Sequence, residues 1–289
     1  MKQLIFSIIV LLSFCNTLVA QEEIKLYQNG PAESNNITAA EVMLQGDFVI
    51  NITNPRMYFY QASKDKNTGT AVLICPGGGY AGISAIKEGA EIAKWFNEVG
   101  VNAFVLYYRM PNGHTEIPLK DAQTALEIIK HGAKKWNLER GKIGIMGFSA
   151  GGHLASTVGT HFRTKLQRPD FMILLYPVVT MDKDLTHLGS RENLLGKNPA
   201  NELVSLYSNE LQVTKNTPST FIVHALDDKV VPIENSKQLL KALHDKKVHA
   251  ELHTFDIGGH GFGMRKQGIP VDNWSDLLKA WLKSNKLID

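Results

Sequence analysis

Short apolar segments alternate with amphipathic segments along most of this chain, and this alternation restricts the possible folds more than any other feature. The apolar segments predict strands at residues 71–75, 101–108, 142–147, 171–176, 220–225 and 250–255. The amphipathic segments predict helices at residues 84–99, 119–136, 150–159, 233–244 and 274–282. Because parallel strands need long connections, such alternation favours a sheet with helical crossovers. We therefore predict an α/β fold, with a mostly parallel central sheet and helices on both faces.

Two parts of the chain do not follow the alternation. Residues 21–70 are rich in Asn, Ser and Thr and contain β-favouring pieces at 47–52 and 57–61, which predict antiparallel strands at the edge of the sheet. Residues 178–218 carry only weak helical signals. Since α/β enzymes bind their ligands beyond the carboxyl ends of the strands, we predict that this second segment is an insertion over the active site.

The N-terminus has the order of a secretory signal peptide, with one Lys, an apolar core and the small Ala20 before a polar stretch. The apolar core is much shorter than the ~20 residues of a membrane helix, which argues against a membrane span. We predict a signal peptide at 1–20, a single domain at 21–289, and a secreted or periplasmic protein. Lipid attachment at Cys15 is the less favoured alternative, because the bulky Phe14 stands where lipoprotein signals carry a small residue.

Composition excludes several functional classes. The chain has two cysteines, and loss of the signal peptide would leave Cys75 without a disulfide partner. Cys75 ends an apolar run, which indicates a small buried hydrophobe rather than a nucleophile. The net charge is +3 with Lys and Arg scattered among acidic residues, so no nucleic-acid partner is expected. Neither H-E-x-x-H nor a paired C-x-x-C occurs, so no metal site is predicted.

Three consecutive glycines follow the predicted strand at 71–75. Gly77, Gly79 and Gly82 match G-x-G-x-x-G, the spacing of dinucleotide-binding loops. Such sites usually have an acidic residue at the end of the next strand, whereas here that strand ends at Arg109, which would suit NADP. The motif alone leaves two interpretations open: a pyrophosphate site, or backbone N–H groups that bind the anion of a reaction intermediate.

A second glycine cluster, GFSAG at 147–151, fits G-x-S-x-G between a predicted strand and a predicted helix. This setting is typical of a nucleophile elbow. The sharp turn forces Ser149 into a strained backbone geometry, and the flanking glycines prevent the strand and the helix from colliding. Its Oγ then stands at a helix N-terminus, where a developing anion is favoured. We predict that Ser149 is a nucleophile.

A serine nucleophile needs a general base, and the base needs an acid that orients it. With this elbow, the acid follows a later strand and the His follows the last strand. The stretch FIVHALDDKVVP places Asp227 and Asp228 after the strand at 220–225. The stretch FDIGGHGFG places His260 after the last strand. The chain therefore contains a complete set of serine, acid and histidine in the required order.

This set also favours the second interpretation of the glycines after residue 75. A dinucleotide site would leave the serine, acid and histidine unexplained. In a hydrolase, the N–H groups of Gly78 and Gly79, together with that of Ala150, would face the oxyanion. We predict these three residues as the oxyanion hole.

Five stretches in this order resemble α/β-hydrolases of the esterase/lipase type, close to carbohydrate acetylesterases and feruloyl-esterase-like enzymes. They are PGGGY, YYRMPNG with PLKDAQ, GFSAGGHLA, HALDDKVVP and GGHGFG. The resemblance implies a secreted serine carboxylesterase of the acetyl xylan esterase type, which needs no cofactor and acts on acetyl esters of oligosaccharides or polysaccharides. Feruloyl esters, or peptides as in prolyl-oligopeptidase-like relatives, stay open as substrates. A glycan-binding module without activity is the third, least favoured hypothesis.

Residue by residue, the resemblance implies that Ser149 is the nucleophile, His260 the general base and then acid, and Asp228 the group that orients His260. In the pattern H-x-x-x-D-x-x-V-P the acid lies where Asp228 stands, while Asp227 is the second candidate or a turn residue. Many relatives carry a His before the glycines. Here this position is Pro76, so we predict a loop held by the stiffness of proline rather than by hydrogen bonds from that side chain.

Three further histidines are predicted to have other roles. His153 lies on the helix after the elbow and is expected to pack or to form hydrogen bonds. His114 is expected in a solvated loop, although it could reach the rim of the site. His224, at a strand end, is expected to form local hydrogen bonds.

Overall fold

The structure is a computed structural model and describes residues 22–289. The predicted signal peptide at 1–20 and the predicted alternative of a lipid-modified Cys15 lie outside these residues. Within the described part of the chain, no helix combines the length and the apolar character needed to cross a membrane.

Eleven strands are found in residues 22–289. They are β1 (Glu22–Lys25), β2 (Val42–Leu44), β3 (Phe48–Ile50), β4 (Arg56–Tyr60), β5 (Ala71–Cys75), β6 (Gly82–Ser84), β7 (Asn102–Tyr107), β8 (Ile143–Phe148), β9 (Phe171–Leu175), β10 (Ser219–Ala225) and β11 (Ala250–Phe255). The six apolar segments predicted as strands are β5 and β7 to β11, with bounds that differ by at most one residue at either end.

Eight strands form the central sheet in the order β1-β4-β7-β5-β8-β9-β10-β11. β4 runs antiparallel to both of its neighbours, β1 and β7, and the other neighbouring pairs are parallel. Every residue of β5, β8 and β9 is buried, as expected for central strands that are covered on both sides. The predicted α/β fold with a mostly parallel central sheet is therefore confirmed.

Helices connect the parallel strands and pack on the sheet. They are α1 (Glu91–Glu98), α2 (Ile117–His131), α3 (Ser149–His161), α4 (Leu188–Leu195), α5 (Asn201–Tyr207), α6 (Glu234–Asp245) and α7 (Trp274–Ser284). Short 3₁₀ turns lie at Asn209–Gln212 and Pro270–Asn273. A π-helical turn at Ile86–Ala90 precedes α1, so the single helix predicted at 84–99 is divided into two kinds of helix.

The segment before β5 only partly matches the prediction of edge strands. β1 and β4 do pair at the edge of the central sheet. β3, in contrast, pairs with β2 and β6 in a separate three-stranded antiparallel sheet. Val49 of β3 is buried opposite Ile83 of β6, so this strand has its apolar contact in the small sheet. Because β6 comes just after the three glycines, the small sheet lies beside the glycine loop.

Candidate active site

Three loops at the carboxyl edge of the central sheet bring together the predicted serine, histidine and aspartate. Ser149 follows β8, Asp228 follows β10 and His260 follows β11. The distance between Ser149 Oγ and His260 Nε2 is 2.9 Å. The distance between His260 Nδ1 and Asp228 Oδ2 is 2.7 Å. The three side chains thus form a continuous hydrogen-bonded row, although 111 residues of sequence separate the serine from the histidine.

The turn between β8 and α3 has the strained geometry that the G-x-S-x-G motif predicts. Ser149 has a φ angle of +50°, which is rare for a residue with a side chain. A Cβ added to Gly147 would lie 2.1 Å from the carbonyl oxygen of Gly151, and one added to Gly151 would lie 2.1 Å from that of Cys75. Only glycine fits at either position, so the two glycines allow the close approach that exposes Ser149.

Asp228 is buried and accepts hydrogen bonds with both carboxylate oxygens. Its Oδ1 accepts from the backbone N–H groups of Val230 and Val231, at 2.8 and 2.9 Å. Its Oδ2 lies 2.7 Å from His260 and also 3.2 Å from Nε2 of the buried His224. Burial alone would raise the pKa of Asp228, but the hydrogen bonds from His224 and His260 outweigh it and hold this pKa well below its usual range.

An ionised Asp228 determines which nitrogen of His260 carries the proton. A carboxylate can only accept a hydrogen bond, so Nδ1 of His260 is the donor to Asp228. Nε2 of the neutral ring is then unprotonated and accepts from the hydroxyl of Ser149. In this state the imidazole is arranged to take the proton of Ser149.

The neighbouring Asp227 occupies a different place, so the geometry favours Asp228 as the partner of His260. Oδ1 of Asp227 accepts from the backbone N–H groups of Gly258 and Gly259, at 2.9 and 2.7 Å. Asp227 therefore stabilises the start of the loop that carries His260. In the part of the chain that the structure describes, Nδ1 of His260 is hydrogen-bonded to Asp228 and not to Asp227.

The glycine loop after β5 lies against the elbow and offers unpaired donors. A Cβ added to Gly77 would lie 3.0 Å from the Cβ of Ser149. In the described part of the chain, the N–H groups of Gly78 and Gly79 donate no hydrogen bond. The N–H of Ala150 stands in the first turn of α3, outside the helical ladder. These three predicted residues thus present donors that an oxyanion could use.

The dinucleotide interpretation of the same glycines does not fit the structure. Gly82, the third glycine of the spacing, lies in β6 rather than at the start of a helix. Arg109, the residue that would have suited NADP, is buried in an ion pair with Asp121 at 2.6 Å. Neither residue is placed to hold a dinucleotide.

Side chains from several elements hold the glycine loop by hydrogen bonds, in addition to the stiffness that the sequence predicts for Pro76. The hydroxyl of Tyr108 donates to the carbonyl of Pro76, at 2.8 Å. The side-chain amide of Asn193 donates to the carbonyl of Gly79, also at 2.8 Å. Buried Glu88 accepts from the N–H of Gly77. Tyr108 directly follows β7, Asn193 lies in α4 and Glu88 in the π-helical turn. Among the three, only Tyr108 lies in one of the sequence stretches that carry the family resemblance.

His153 is the fully buried histidine that connects the glycine loop to the helix α5. Its Nε2 lies 2.8 Å from the carbonyl of Tyr207, and its Nδ1 lies 2.8 Å from the hydroxyl of Tyr80. Since a carbonyl only accepts, Nε2 is the donor and Nδ1 accepts from Tyr80. Burial lowers the pKa of His153 to about 4. The hydrogen-bonding role predicted for this residue agrees with these contacts.

We expect His153→Gln to reduce the loss of stability on acidification. A glutamine can donate to Tyr207 and accept from Tyr80 but cannot titrate. In wild type, the unfolded chain binds the proton of His153 below its usual pKa of 6.5 while the folded chain resists it until about pH 4, so stability falls across this window. Urea unfolding should show that the difference in unfolding free energy between about pH 7 and about pH 4.5 is smaller in the variant, by about 2 kcal/mol. Equal differences would contradict the assignment of this pKa.

His224 and His114 have the local contacts that the sequence predicts for them. His224 forms the expected local bonds, to Ser236 and to the carbonyl of Val231, and it also lies 3.2 Å from Asp228, four residues further along the chain. His114 is bonded to the exposed Asn36 in a surface loop, as expected.

His187, at the N-cap of α4, is a site-rim residue that the sequence did not mark. A Cβ added to Gly79 would lie 3.7 Å from its Cε1. Its half-buried ring has a pKa below the usual value, first because of burial and then because of the nearby His260. Together with Asn193, this histidine brings α4 against the glycine loop.

No cluster of three or more His, Cys, Asp or Glu side chains that could hold a metal ion occurs in residues 22–289. Cys75 is buried, and burial raises the pKa of its thiol, which disfavours the reactive thiolate.

A mostly parallel sheet with a strained serine elbow and a bonded histidine defines this chain as an α/β hydrolase. Residues 57–243 match the family described as BD-FAE, and the chain belongs to this family.

Individual relatives are consistent with this family. The chain is 38% identical over 221 residues to an acetylxylan esterase of Xylanibacter ruminicola, a match that covers 75% of this chain and 46% of the relative. It is 37% identical to endo-1,4-beta-xylanase B of Butyrivibrio fibrisolvens, over 72% of this chain and 34% of the relative. The chain thus spans less than half the length of these two curated relatives.

A solved structure extends the similarity to nearly the whole chain. The acetyl ester-xyloside bifunctional hydrolase of Caldicellulosiruptor lactoaceticus is similar with a TM-score of 0.80 and 35% identity, over 93% of this chain and 97% of that one. These findings confirm the predicted resemblance to carbohydrate acetylesterases, and they group the chain with carboxylic ester hydrolases.

Proposed function

We propose that this protein is a serine carboxylesterase that removes acyl groups, chiefly acetyl, from carbohydrate esters. The observation that carries the proposal is the row of hydrogen bonds from Asp228 through His260 to Ser149, beside unpaired N–H donors. The proposed mechanism passes through an acyl-enzyme and requires no cofactor.

In the first half of the reaction, Nε2 of His260 takes the proton of Ser149 while Oγ forms a bond to the ester carbonyl carbon. The carbonyl electron pair moves onto oxygen, and the N–H groups of Gly78, Gly79 and Ala150 hold the oxyanion. When the tetrahedral intermediate collapses, the bond to the alcohol oxygen breaks. His260 gives its proton to the leaving alcohol, and the acyl group stays on Ser149.

In the second half, a water molecule takes the place of the alcohol. His260 removes a proton from this water as the water oxygen attacks the acyl carbon, and the same donors hold the second oxyanion. Collapse breaks the bond to Oγ and returns the proton from His260 to Ser149. The carboxylic acid leaves, and the ionised Asp228 has stabilised the imidazolium in both halves.

The substrate class is proposed from the relatives together with the site. An acetylxylan esterase and an acetyl ester-xyloside hydrolase both point to acetyl groups on xylose-containing carbohydrate. The side chains of His187 and Asn193 beside Gly79 are polar, which suits a hydroxylated alcohol portion better than a lipid chain. Feruloyl esters and peptide bonds remain the alternatives to be tested.

One panel of substrates separates these possibilities. We expect the purified protein to release acetate from acetylated xylan and to hydrolyse p-nitrophenyl acetate, with less ferulate released from feruloylated arabinoxylan and no cleavage of alanine or proline p-nitroanilides. A serine-directed phosphonate should add to Ser149, which peptide mass mapping would locate. Cleavage of the anilides without ester hydrolysis would favour the peptidase alternative, and no reaction with the phosphonate would favour a binding module.

We also propose that the enzyme acts outside the cytoplasm, where polymeric carbohydrate is present. This proposal rests on the predicted signal peptide at 1–20. Expression with the native N-terminus should yield an extracytoplasmic protein whose first residue is Gln21. A cytoplasmic protein that keeps Met1 would contradict the proposal.

A further inference from the structure

Glu88 is a buried carboxylate that lies behind the glycine loop and outside the hydrogen-bonded row. Its residue is only 5% exposed, and it belongs to the π-helical turn Ile86–Ala90. Oε2 of Glu88 accepts from the backbone N–H of Gly77 at 2.8 Å. Oε1 accepts from the hydroxyl of Tyr176, also at 2.8 Å. One carboxylate thus binds the glycine loop on one side and a buried tyrosine on the other.

Tyr176 continues this connection to the loop of His260. Its hydroxyl accepts from the backbone N–H of Gly263 at 3.3 Å. Its ring lies edge-on to the imidazole of His260, with 4.8 Å between the ring centroids, and packs against Phe262 with 4.6 Å between centroids. The chain of contacts from Glu88 therefore reaches the imidazole of His260 and the loop residues Phe262 and Gly263 that follow it.

The π-helical turn gives a second contact between the same parts. The N–H of Ala90 donates to the carbonyl of Ala85, five residues earlier, which widens the helix at this point. Such turns occur often at functional sites. A Cβ added to Gly263 would lie 3.2 Å from Cγ of Lys87, so the residue before Glu88 packs against the His260 loop. The turn touches both loops that the proposed mechanism needs.

We propose that Glu88 is a positioning residue that fixes the glycine loop and the loop of His260 relative to each other. The proposal rests on the proposed esterase function. A buried carboxyl group is unfavourable unless its oxygens are hydrogen-bonded, and here both oxygens accept from groups that belong to the site. Gly77 directly precedes the two predicted donors Gly78 and Gly79, so its orientation sets theirs.

The chemistry of a carboxylate explains why glutamate is needed at this position. Two oxygens that both accept can bind the N–H of Gly77 and the hydroxyl of Tyr176 at once. A glutamine of the same shape has one accepting oxygen and an amide nitrogen that only donates. In Glu88→Gln, the N–H of Gly77 donates to a neutral oxygen, which is a weaker acceptor than a carboxylate. The amide has to donate to the hydroxyl of Tyr176, whose own proton then loses its acceptor, so both loops become less well fixed.

We expect Glu88→Gln to lower kcat for p-nitrophenyl acetate about 10- to 100-fold, with KM within about twofold, because the oxyanion donors act mainly in the transition state. Tyr176→Phe removes the hydroxyl that joins Glu88 to the loop of His260 and should lower kcat about 10-fold. The double variant should be no slower than the slower single variant, since both changes break one network. Glu98→Gln, an exposed glutamate at the end of α1, is the matched control and should behave as wild type.

A second readout separates this proposal from the proposed function. Amide hydrogen exchange at Gly77 and Gly263 should become at least about 10-fold faster in Glu88→Gln, whether or not the protein hydrolyses esters. An inactive wild type with this exchange result would overturn the esterase and retain the network. The role of Glu88 would be overturned if the wild type is active and the kcat of both single variants stays within threefold of the wild-type value. It would also be overturned if the loss of kcat in the double variant equals the product of the losses in the two single variants. If Glu88→Gln does not fold, Tyr176→Phe and its exchange at Gly263 decide the question alone.

Discussion

Replacement of Ser149 by alanine is expected to reduce kcat for p-nitrophenyl acetate by at least about 10⁴-fold. Alanine lacks the oxygen that forms the acyl-enzyme, so only direct attack by water assisted by His260 and the oxyanion donors would remain. The backbone at this position has a φ of +50°, and alanine is no more strained there than serine. The variant should therefore keep the fold and lose the chemistry.

The measurement compares three proteins under one set of conditions. Wild type, Ser149→Ala and the control Ser205→Ala, an exposed serine on α5, are assayed for ester hydrolysis and for reaction with a serine-directed phosphonate. Circular dichroism and thermal unfolding establish that each is folded. Undiminished turnover in folded Ser149→Ala would refute the mechanism, whereas loss of activity in both variants would point to an effect other than nucleophile removal.

The second large effect on kcat is expected from a change at Asp228. Asp228→Asn should lower kcat about 10³- to 10⁴-fold, because an amide at this position would donate to Nδ1 of His260 instead of accepting from it. The proton of the imidazole then moves to Nε2, which can no longer take the proton of Ser149. Oδ1 of the asparagine still accepts from Val230 and Val231, so the loop itself should be retained.

Asp227→Asn is the matched control, because it makes the same chemical change one residue away. The N–H groups of Gly258 and Gly259 both donate to Oδ1 of Asp227, and an asparagine keeps that oxygen. We expect kcat within about threefold of wild type. A larger loss in Asp227→Asn than in Asp228→Asn would reverse the assignment of the two residues.

Much of the fold follows from local pattern. The strands β5 and β7 to β11 are short apolar runs between amphipathic helices, and this pattern depends on neighbouring residues alone. The pairing of β3 is harder to predict, because the sequence of a three-residue strand does not indicate which of two sheets the strand joins. Its place beside β6 is decided by the burial of Val49 against Ile83, which is a tertiary contact.

The same division holds for the site. Ser149, Asp228 and His260 could be predicted because each lies in a short sequence motif whose residues are required by the turn or loop that they form. The order of the three motifs along the chain also matches the order of the serine, acid and histidine in this fold. From the sequence, Asp228 can be distinguished from Asp227 only by the resemblance to the family's H-x-x-x-D-x-x-V-P pattern. In the structure it follows from two sets of contacts, to the imidazole in one case and to backbone N–H groups in the other.

The α/β class, the elbow and the residues proposed for the chemistry can be inferred from the amino-acid sequence, since each depends on residues that are close along the chain. The contacts that hold these residues in place become visible in the folded protein. Glu88 meets Tyr176 across 88 residues, and Asn193 bonds to Gly79 across 114 residues. Such contacts leave no local pattern, because a buried hydrogen bond depends on which elements pack together, and that is known only when the whole sheet is formed.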